Sequence, residues 1–203
     1  KENKYDDNIF FQKYSQMSRS QQGLAGAGEW ETLRKLLPDF KDKRVLDLGC
    51  GYGWHCIYAM EHGASSVVGV DISHKMLEVA KEKTHFPQVE YKCCAIEDVE
   101  FPEESFDVIL SSLAFHYVAD YEILVKKIYR ILKSGGKLVF TVEHPVFTAY
   151  GTQDWYYNEK GEILHFPVDN YYYEGKRTAV FLGEKVTKYH RTLTTYLNTL
   201  LSN

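Results

Sequence analysis

The chain has 203 residues, of which 44% are hydrophobic and 26% are charged, and its formal net charge is −4. This length and balance are typical of one folded domain with a buried core. The negative charge and the absence of a basic stripe argue against a nucleic-acid-binding domain, and no apolar run is long enough to span a bilayer.

Residues 1–38 are predicted to form a helical cap over a ligand site. Residues 8–20 have the apolar spacing of a short helix. One side of this helix carries Phe10, Phe11, Tyr14 and Met17. A Gly/Ala-rich hinge follows at residues 23–28, and a second helix is predicted from Glu29 to Leu37, where Pro38 ends it.

Residues 39–143 alternate apolar runs with helical patterns, which predicts a doubly wound, mainly parallel α/β sheet. The predicted strands are Arg44–Leu48, Ser66–Val70, Val89–Cys93, Phe106–Ser111 and Lys137–Val142. Their continuous apolar character suits strands that are covered on both faces. The predicted helices are Trp54–Glu61, Ser73–Lys83 and Tyr121–Leu132, the last followed by a turn at Lys133–Gly136.

Residues 144–189 lack a helical period and hold many of the 16 tyrosines of the chain. Turn signals at Asn158–Gly161 and Glu174–Lys176 predict one or two hairpins, which we interpret as a lid inserted after the fifth strand. Residues 190–203 are predicted to form an amphipathic C-terminal helix.

The four cysteines contain no C-x-x-C pair, and this excludes the common zinc and disulfide patterns. The N-terminal sequence also lacks the apolar core of a signal peptide. We therefore expect packing thiols, no metal site and a cytoplasmic location.

The segment from Val45 to Gly53 predicts a ligand-binding turn between a buried strand and a helix. Its glycines have G-x-G-x-G spacing, preceded by Asp47, and Asp71 follows the next strand. A dinucleotide fold requires a further glycine where this chain has Trp54. The Asp47 carboxylate would also repel a pyrophosphate but attract an ammonium group. These residues favour a cationic amino-acid ligand over a dinucleotide.

The same residues resemble class I S-adenosylmethionine (SAM)-dependent methyltransferases, of the small-molecule type found in bacteria. The family turn, [DE]-x-G-x-G-x-G, is matched by Asp47, Gly49, Gly51 and Gly53. Other matches are Asp71, the block Ser105–Ser111 with Phe115–Tyr117, and the turn Leu132–Leu138. The resemblance covers about residues 29–143. It implies a Rossmann-like fold, SAM as the cofactor and methyl transfer to a small-molecule acceptor.

The resemblance implies that Asp71 holds the two ribose hydroxyls. Many relatives carry an adenine-binding Asp where this chain has Ala95, which leaves the Ile96 N–H and either Glu97 or Asp98 for the adenine. Asp47 binds the ligand, directly or through water, or caps the next helix. We expect a cofactor site formed by Tyr14, Arg19, Asp47, Gly49, Cys50, Gly51, Asp71, Ile72, Met76, Ile96, Glu97 and Ser111.

Two pairs of residues at the expected cofactor site have alternative interpretations. Met76 and Leu77 either line the adenine site or belong to the core. Tyr14 and Arg19 would close over the cofactor, with Arg19 pairing with its carboxylate, although an ordinary surface arginine is the alternative.

Catalytic candidates follow the fourth and fifth strands, because the carboxyl ends of parallel strands share one edge of the sheet. His116 follows the fourth strand, and Glu143 and His144 end the fifth. Any of them could position or deprotonate an acceptor, or could be structural. No compact catalytic motif is expected, because the transferred methyl group is already activated and the protein mainly aligns the acceptor.

The aromatic segment has three interpretations: a cover for the sheet edge, a homodimer interface, or a pocket wall facing the sulfonium. Its members are Trp155, Tyr156, Tyr157, Tyr171, Tyr172 and Tyr173. Family members usually add two strands after a helix like Thr192–Leu201, so either the chain is truncated before them or the segment covers the fifth-strand edge.

Two other functions compete with methyl transfer at this stage. One is a nucleotide-binding oxidoreductase of the same sheet type. The other is a SAM-binding regulatory or partner module without catalysis, because the binding motifs are visible and catalytic ones are not.

Overall fold

The computed structural model describes residues 1–203 and contains a central five-stranded sheet. Its strands are β1 (Arg44–Leu48), β2 (Ser66–Asp71), β3 (Val89–Cys93), β4 (Phe106–Ser112) and β5 (Leu132–Thr141). They are all parallel and lie in the order β3-β2-β1-β4-β5. The strand order therefore reverses between β1 and β4, where open α/β sheets bind ligands. The predicted α/β class is confirmed.

Helices cover both faces of this sheet, as its apolar strands require. They are α1 (Asn8–Ser15), α2 (Ser18–Gln21), α3 (Trp30–Leu36), α4 (Trp54–Glu61), α5 (His74–Lys83), α6 (Tyr121–Ile131), α7 (Pro145–Ala149) and α8 (Leu193–Leu201). Alternate strand residues point to opposite faces: Leu46 and Ile109 pack with α6 and α8, whereas Val45 and Val108 pack with α4.

The predicted N-terminal helix over residues 8–20 is two helices. The break lies at Met17, whose extended backbone (φ −66°, ψ 149°) precedes α2. The Ser20 hydroxyl donates a 2.7 Å hydrogen bond to the Tyr14 carbonyl and holds the bend. The chain turns there, so α1 and α2 do not continue each other.

The last third of the chain forms two separate antiparallel hairpins. They are β6 (Tyr156–Tyr157) with β7 (Ile163–His165), and β8 (Gly175–Phe181) with β9 (Glu184–His190). Neither hairpin is joined to the central sheet, and β5 pairs only with β4. The second hairpin packs on the N-terminal helix, where Phe10, Ala179 and Val186 form a small buried cluster.

Two predicted turns are wrong. The Lys133–Gly136 segment lies within β5 as an irregularity in its pairing with β4, with Gly135 at φ +75°. The Glu174–Lys176 segment starts β8, and the chain reverses instead at Leu182 and Gly183.

Candidate active site

A cavity of about 470 Å³ lies at the carboxyl ends of the strands. Gly49 and Gly51 after β1, Asp71 at the end of β2 and Ser112 at the end of β4 line it. Its other walls come from distant parts of the chain: the N-terminal segment (residues 1–5), the 3₁₀ turn Phe115–Tyr117 and the β8–β9 hairpin. The hairpin contributes Phe181, Val186, Thr187 and Tyr189.

The glycine turn brings the backbone of β1 against this cavity. Gly49 has φ +80°, and a Cβ there would lie 2.5 Å from the Ala114 Cβ. Gly51 has φ +53°, but a Cβ there would meet no atom within 4 Å. A side chain at Gly51 would therefore enter the open cavity, which indicates that the backbone is kept bare for a ligand.

Asp71 is held beside the turn by two backbone donors. The Gly51 N–H donates to Oδ2 at 2.8 Å, and the Ser73 N–H donates to Oδ1 at 2.9 Å. Burial raises the pKa of Asp71, and the two N–H groups oppose that rise. Each carboxylate oxygen retains acceptor capacity toward the cavity, so two neighbouring hydroxyls could donate to it.

Asp47 lies behind the turn and does not line the cavity. Its side chain is 1% exposed; Oδ2 accepts a 3.6 Å contact from the Cys56 thiol, and Oδ1 has no partner. Burial raises the pKa of Asp47 to about 7. We expected Asp47 among the cofactor-site residues, but β1 turns its side chain toward α4 and away from the cavity.

Apolar side chains form the wall beyond Asp71. They are Ile72, Met76, Ala95 and Ile96. Glu97 also lines the cavity, whereas Asp98 lies at the surface, 2.5 Å from the Lys1 ammonium. Leu77 points into the core below α5. The cavity beside Asp71 is therefore apolar, with the Glu97 carboxylate as its polar group.

On the other side of the turn, the cavity continues into a smaller pocket of about 70 Å³. Tyr14, Arg19 and Ser112 line both spaces, and Cys50 lines the smaller one. The Arg19 guanidinium pairs with Glu29, which also accepts a 3.0 Å hydrogen bond from the Ser112 hydroxyl. Arg19 is therefore a partly buried cation at the site and not an ordinary surface residue.

Ser111 is not at the cavity, contrary to expectation. Its hydroxyl donates to the Leu48 carbonyl at 2.7 Å and ties β4 to β1. Side chains alternate along a strand, so the neighbouring Ser112 faces the site instead.

His116 and Glu143 meet at the far end of the cavity, as their places after β4 and β5 predicted. The His116 Nε2 lies 3.9 Å from the Glu143 Oε1, and both residues line the cavity. Burial lowers the pKa of His116 to about 4. For Glu143 burial acts to raise the pKa, but the neighbouring His116 and Lys188 lower it below its ordinary value.

Two residues that we did not predict complete this group. The Lys188 ammonium lies 2.5 Å from the Glu143 Oε1, and the Gln153 amide donates to Oε2 at 2.9 Å. Lys188 also donates to the Gln153 Oε1 at 2.8 Å. The sequence pattern of residues 144–189 carried no signal for this group, because β9 reaches the site through tertiary contacts with the Phe115–Tyr117 turn and α7 that no sequence spacing reveals.

Two other expectations for this region are corrected. His144 is exposed and caps α7, with its Nδ1 accepting from the Val146 N–H at 3.1 Å, so it does not face the cavity. None of the six aromatics of the predicted pocket wall lines the cavity. Trp155 packs against the Phe166 ring, 5.3 Å between centroids, and the aromatic walls are instead Tyr5, Tyr14, Tyr117, Phe181 and Tyr189.

Comparison with known proteins identifies the family. Residues 46–140 match the family model described as a methyltransferase domain. A crystal structure from Listeria monocytogenes, assigned to the SAM-dependent methyltransferases, has 58% identity and a TM-score of 0.83 over 86% of this chain and 82% of that chain. The chain belongs to the class I SAM-dependent methyltransferases.

Other relatives agree with this assignment. A SAM-dependent methyltransferase from Mesorhizobium loti has 41% identity and a TM-score of 0.82, covering 89% of this chain and 82% of that one. The ubiquinone biosynthesis O-methyltransferase of Coxiella burnetii is 36% identical over 54% of this chain and 47% of its own length. This chain thus spans about half of that relative.

The protein is therefore a methyltransferase enzyme with SAM as its cofactor, as the glycine turn predicted, and not an oxidoreductase. No helix of the structure has the length and apolar character to cross a membrane.

Proposed function

We propose that this methyltransferase acts on a small-molecule acceptor that binds at the His116–Glu143 end of the cavity. The observation that supports this is the continuity of one cavity from Asp71 to Glu143, roofed by the N-terminal segment and the β8–β9 hairpin. A site walled on these sides suits a small molecule better than a folded macromolecule. The ubiquinone biosynthesis relative also supports a small acceptor.

The residues around the glycine turn fit the cofactor. Asp71 would accept from the ribose hydroxyls, and Ile72, Met76 and Ile96 would flank the adenine. The bare backbone at Gly51 leaves room for the central part of the cofactor, and Arg19 would pair with its carboxylate. When bound, SAM supplies a methyl group that is activated by the positive charge on sulfur.

The protein's own contribution is to orient the acceptor and exclude water. Apolar residues at the acceptor end, among them Leu113, Ala114, Val118 and Phe181, would replace the hydration shell of the acceptor. His116 and Glu143 are the polar pair at that end, and they would fix the acceptor's reacting group.

The experiment pairs cofactor binding with product detection. Binding of S-adenosylhomocysteine is measured by calorimetry, and a small-molecule panel is incubated with SAM carrying an isotopically labelled methyl group and analysed by mass spectrometry. We expect binding and a labelled small-molecule product. Binding without any labelled small molecule, or label only on protein or nucleic acid, would contradict the proposal.

Two glycine variants control for backbone strain in the binding assay. Gly51→Ala places a methyl group in the cavity, whereas Gly135→Ala places one in open space away from it, and both residues have positive φ. We expect Gly51→Ala to weaken S-adenosylhomocysteine binding at least about 10-fold and Gly135→Ala to leave it unchanged. Equal effects would remove Gly51 from the site.

A further inference from the structure

The neighbours of His116 determine which of its two ring nitrogens carries the proton. The backbone N–H of Glu143 points at Nδ1, with 3.5 Å between the nitrogens, so Nδ1 acts as the acceptor. The ring is buried, with 2% exposure, and its lowered pKa keeps it neutral at pH 7. A neutral imidazole has one N–H, and with Nδ1 accepting, the proton is on Nε2.

Glu143 provides a hydrogen-bond acceptor beside this donor. Lys188 donates to its Oε1 and Gln153 donates to its Oε2, and Lys188 also donates to Gln153. These contacts fix the carboxylate in one orientation. Lys188 is only 3% exposed, so its charge is poorly screened by water. Before the reaction the carboxylate is therefore ionised and acts as a hydrogen-bond acceptor.

The His116 ring and the Glu143 carboxylate do not bond to each other. Nε2 lies 3.9 Å from Oε1, which is too long for a hydrogen bond, so an N–H donor and a carboxylate acceptor lie side by side without satisfying each other. A hydroxyl satisfies both, because it donates its proton to Oε1 and accepts from Nε2–H. A neutral amine would use its single lone pair on Nε2–H and have none left for the methyl carbon, an ammonium group has no lone pair at all, and a thiol is a weak partner in both roles.

We propose that the acceptor of this enzyme is a hydroxyl compound, held between the Nε2–H of His116 and the Oε1 of Glu143, with Lys188 as the residue that positions Glu143. This inference rests on the proposed function, since it names the acceptor class of that site. The nearby rings of Tyr117 and Phe181, which lie 6.0 and 5.8 Å from the Lys188 ammonium, suit an aromatic or apolar carbon skeleton.

The acceptor oxygen forms a bond to the methyl carbon with one of its lone pairs, and the carbon–sulfur bond breaks with its electron pair left on sulfur. The hydroxyl proton passes to the Glu143 Oε1 and later to water. The products are a methyl ether, S-adenosylhomocysteine and one proton. His116 donates throughout and does not remove the proton.

Nuclear magnetic resonance tests the donor assignment without any turnover. In the ¹⁵N-labelled enzyme, the ring nitrogens of His116 are assigned by their loss in His116→Gln and, independently, in His116→Asn. We expect a neutral ring at pH 7 with its proton on Nε2. A proton on Nδ1, or on both nitrogens, would overturn the proposal.

Product analysis tests the acceptor class. The panel includes tyramine and 2-aminophenol, which carry a hydroxyl and an amine in one molecule, and the labelled atom of each product is located by tandem mass spectrometry. Methyl ethers are expected. Products labelled mainly on nitrogen or sulfur overturn the hydroxyl assignment but leave the proposed function standing. A complete lack of product overturns the proposed function, while the resonance test still decides on His116.

The role of Lys188 is tested by its effect on pH dependence. Titratable or charged groups that act on this pair are His116, Tyr117, Glu143, Lys188, Arg191 and Tyr196. Lys188 lowers the pKa of Glu143, so Lys188→Met should move the acidic limb of the kcat/KM profile to higher pH. Lys185→Met, at an exposed position of the same strand, is the matched control and should leave it unmoved. An unmoved limb in Lys188→Met overturns the positioning role.

Discussion

Asp47 is a buried carboxylate and Asp71 is half-buried, and they also differ in the hydrogen-bond donors around them. Asp71 accepts two backbone N–H groups, whereas Asp47 has one weak thiol donor and an oxygen without a partner. A carboxylate without donors is costly to ionise in a protein interior. Asp47 therefore lowers stability when charged, whereas Asp71 is prepared to carry its charge beside a ligand.

The Asp47→Asn variant should reveal this cost as pH changes. The pKa of Asp47 is raised to about 7 in the folded protein, so the folded state holds the proton more tightly than the unfolded chain does. The wild type therefore loses stability from this group as pH rises from about 4 to about 7. We expect the stability of Asp47→Asn relative to wild type to grow by about 2–3 kcal/mol between pH 5 and pH 8.

Urea unfolding at both pH values, without cofactor, measures this difference. Contributions from titrating groups that do not interact with Asp47 cancel in the comparison. A gap that is the same at both pH values would show that Asp47 is not protonated in the folded enzyme near neutral pH.

Asp71→Asn should damage cofactor binding. An amide presents one NH₂ group, which must face either the Gly51 or the Ser73 N–H, and an acceptor for the ribose is lost as well. We expect S-adenosylhomocysteine binding to weaken by about 10- to 100-fold, which is the size of a lost hydrogen bond to a charged group. Calorimetry measures it, and Asp169→Asn, at an exposed site outside the cavity, should bind like the wild type.

The sequence predicts the position of a site residue where the parallel strands alone bring that residue to the site. Asp71, His116 and Glu143 each follow a parallel strand, and such strands end at one edge of the sheet. Lys188 on β9 and Gln153 in the loop after α7 could not be placed in this way, because no rule of spacing brings either segment to the end of β5. His144 follows Glu143 directly but caps α7 instead.

The strands and turns also differ in how well the sequence predicts them. β1 and β3 have the predicted bounds, because apolar runs between turn residues define buried strands. The turn between β8 and β9 was missed because Leu182 adopts φ +54° in a position that normally favours Asn or Gly. Its carbonyl accepts from the Lys13 ammonium at 2.9 Å, and its side chain packs beside Phe10, so tertiary contacts override the local preference.

The contact between the N-terminal helix and the β8–β9 hairpin should contribute strongly to stability. Phe10 is fully buried, and its ring lies 5.8 Å from that of Phe181. Phe10→Ala should lower the free energy of unfolding by about 3–5 kcal/mol, as is usual for a buried phenylalanine. Urea unfolding measures this, and Ile9→Ala, 60% exposed on the same helix, is the matched control. Similar losses in both variants would argue against the contact.

At the scale of the whole molecule, the cavity is roofed by segments that are far apart in sequence. The Glu2 carboxylate accepts from the Thr187 N–H at 3.0 Å and from its hydroxyl at 2.8 Å, which joins the two parts of the roof. Any ligand that fills the cavity must pass this roof or be enclosed by it, so binding should restrict its opening.

Hydrogen exchange tests whether ligand binding restricts the opening of the roof. On adding S-adenosylhomocysteine, residues 1–6 and 181–190 should exchange more slowly, because a ligand that binds the closed form reduces local opening. The β6–β7 hairpin is exposed and does not line the cavity, so its exchange should stay constant. Protection confined to residues 47–53 would show that the roof opens independently of the ligand.

The pairing of Glu2 with Thr187 also has a consequence for the synthesis of the enzyme. The five strands of the sheet are complete once Thr141 has left the ribosome, but Glu2 must wait for β9 before it finds its partner Thr187. Contacts of such long sequence separation form slowly, because the loop-closure entropy is spent before they form. The nascent protein therefore has its five-stranded sheet before it has an enclosed reaction chamber, and the enclosed site forms only after β9 has been synthesised.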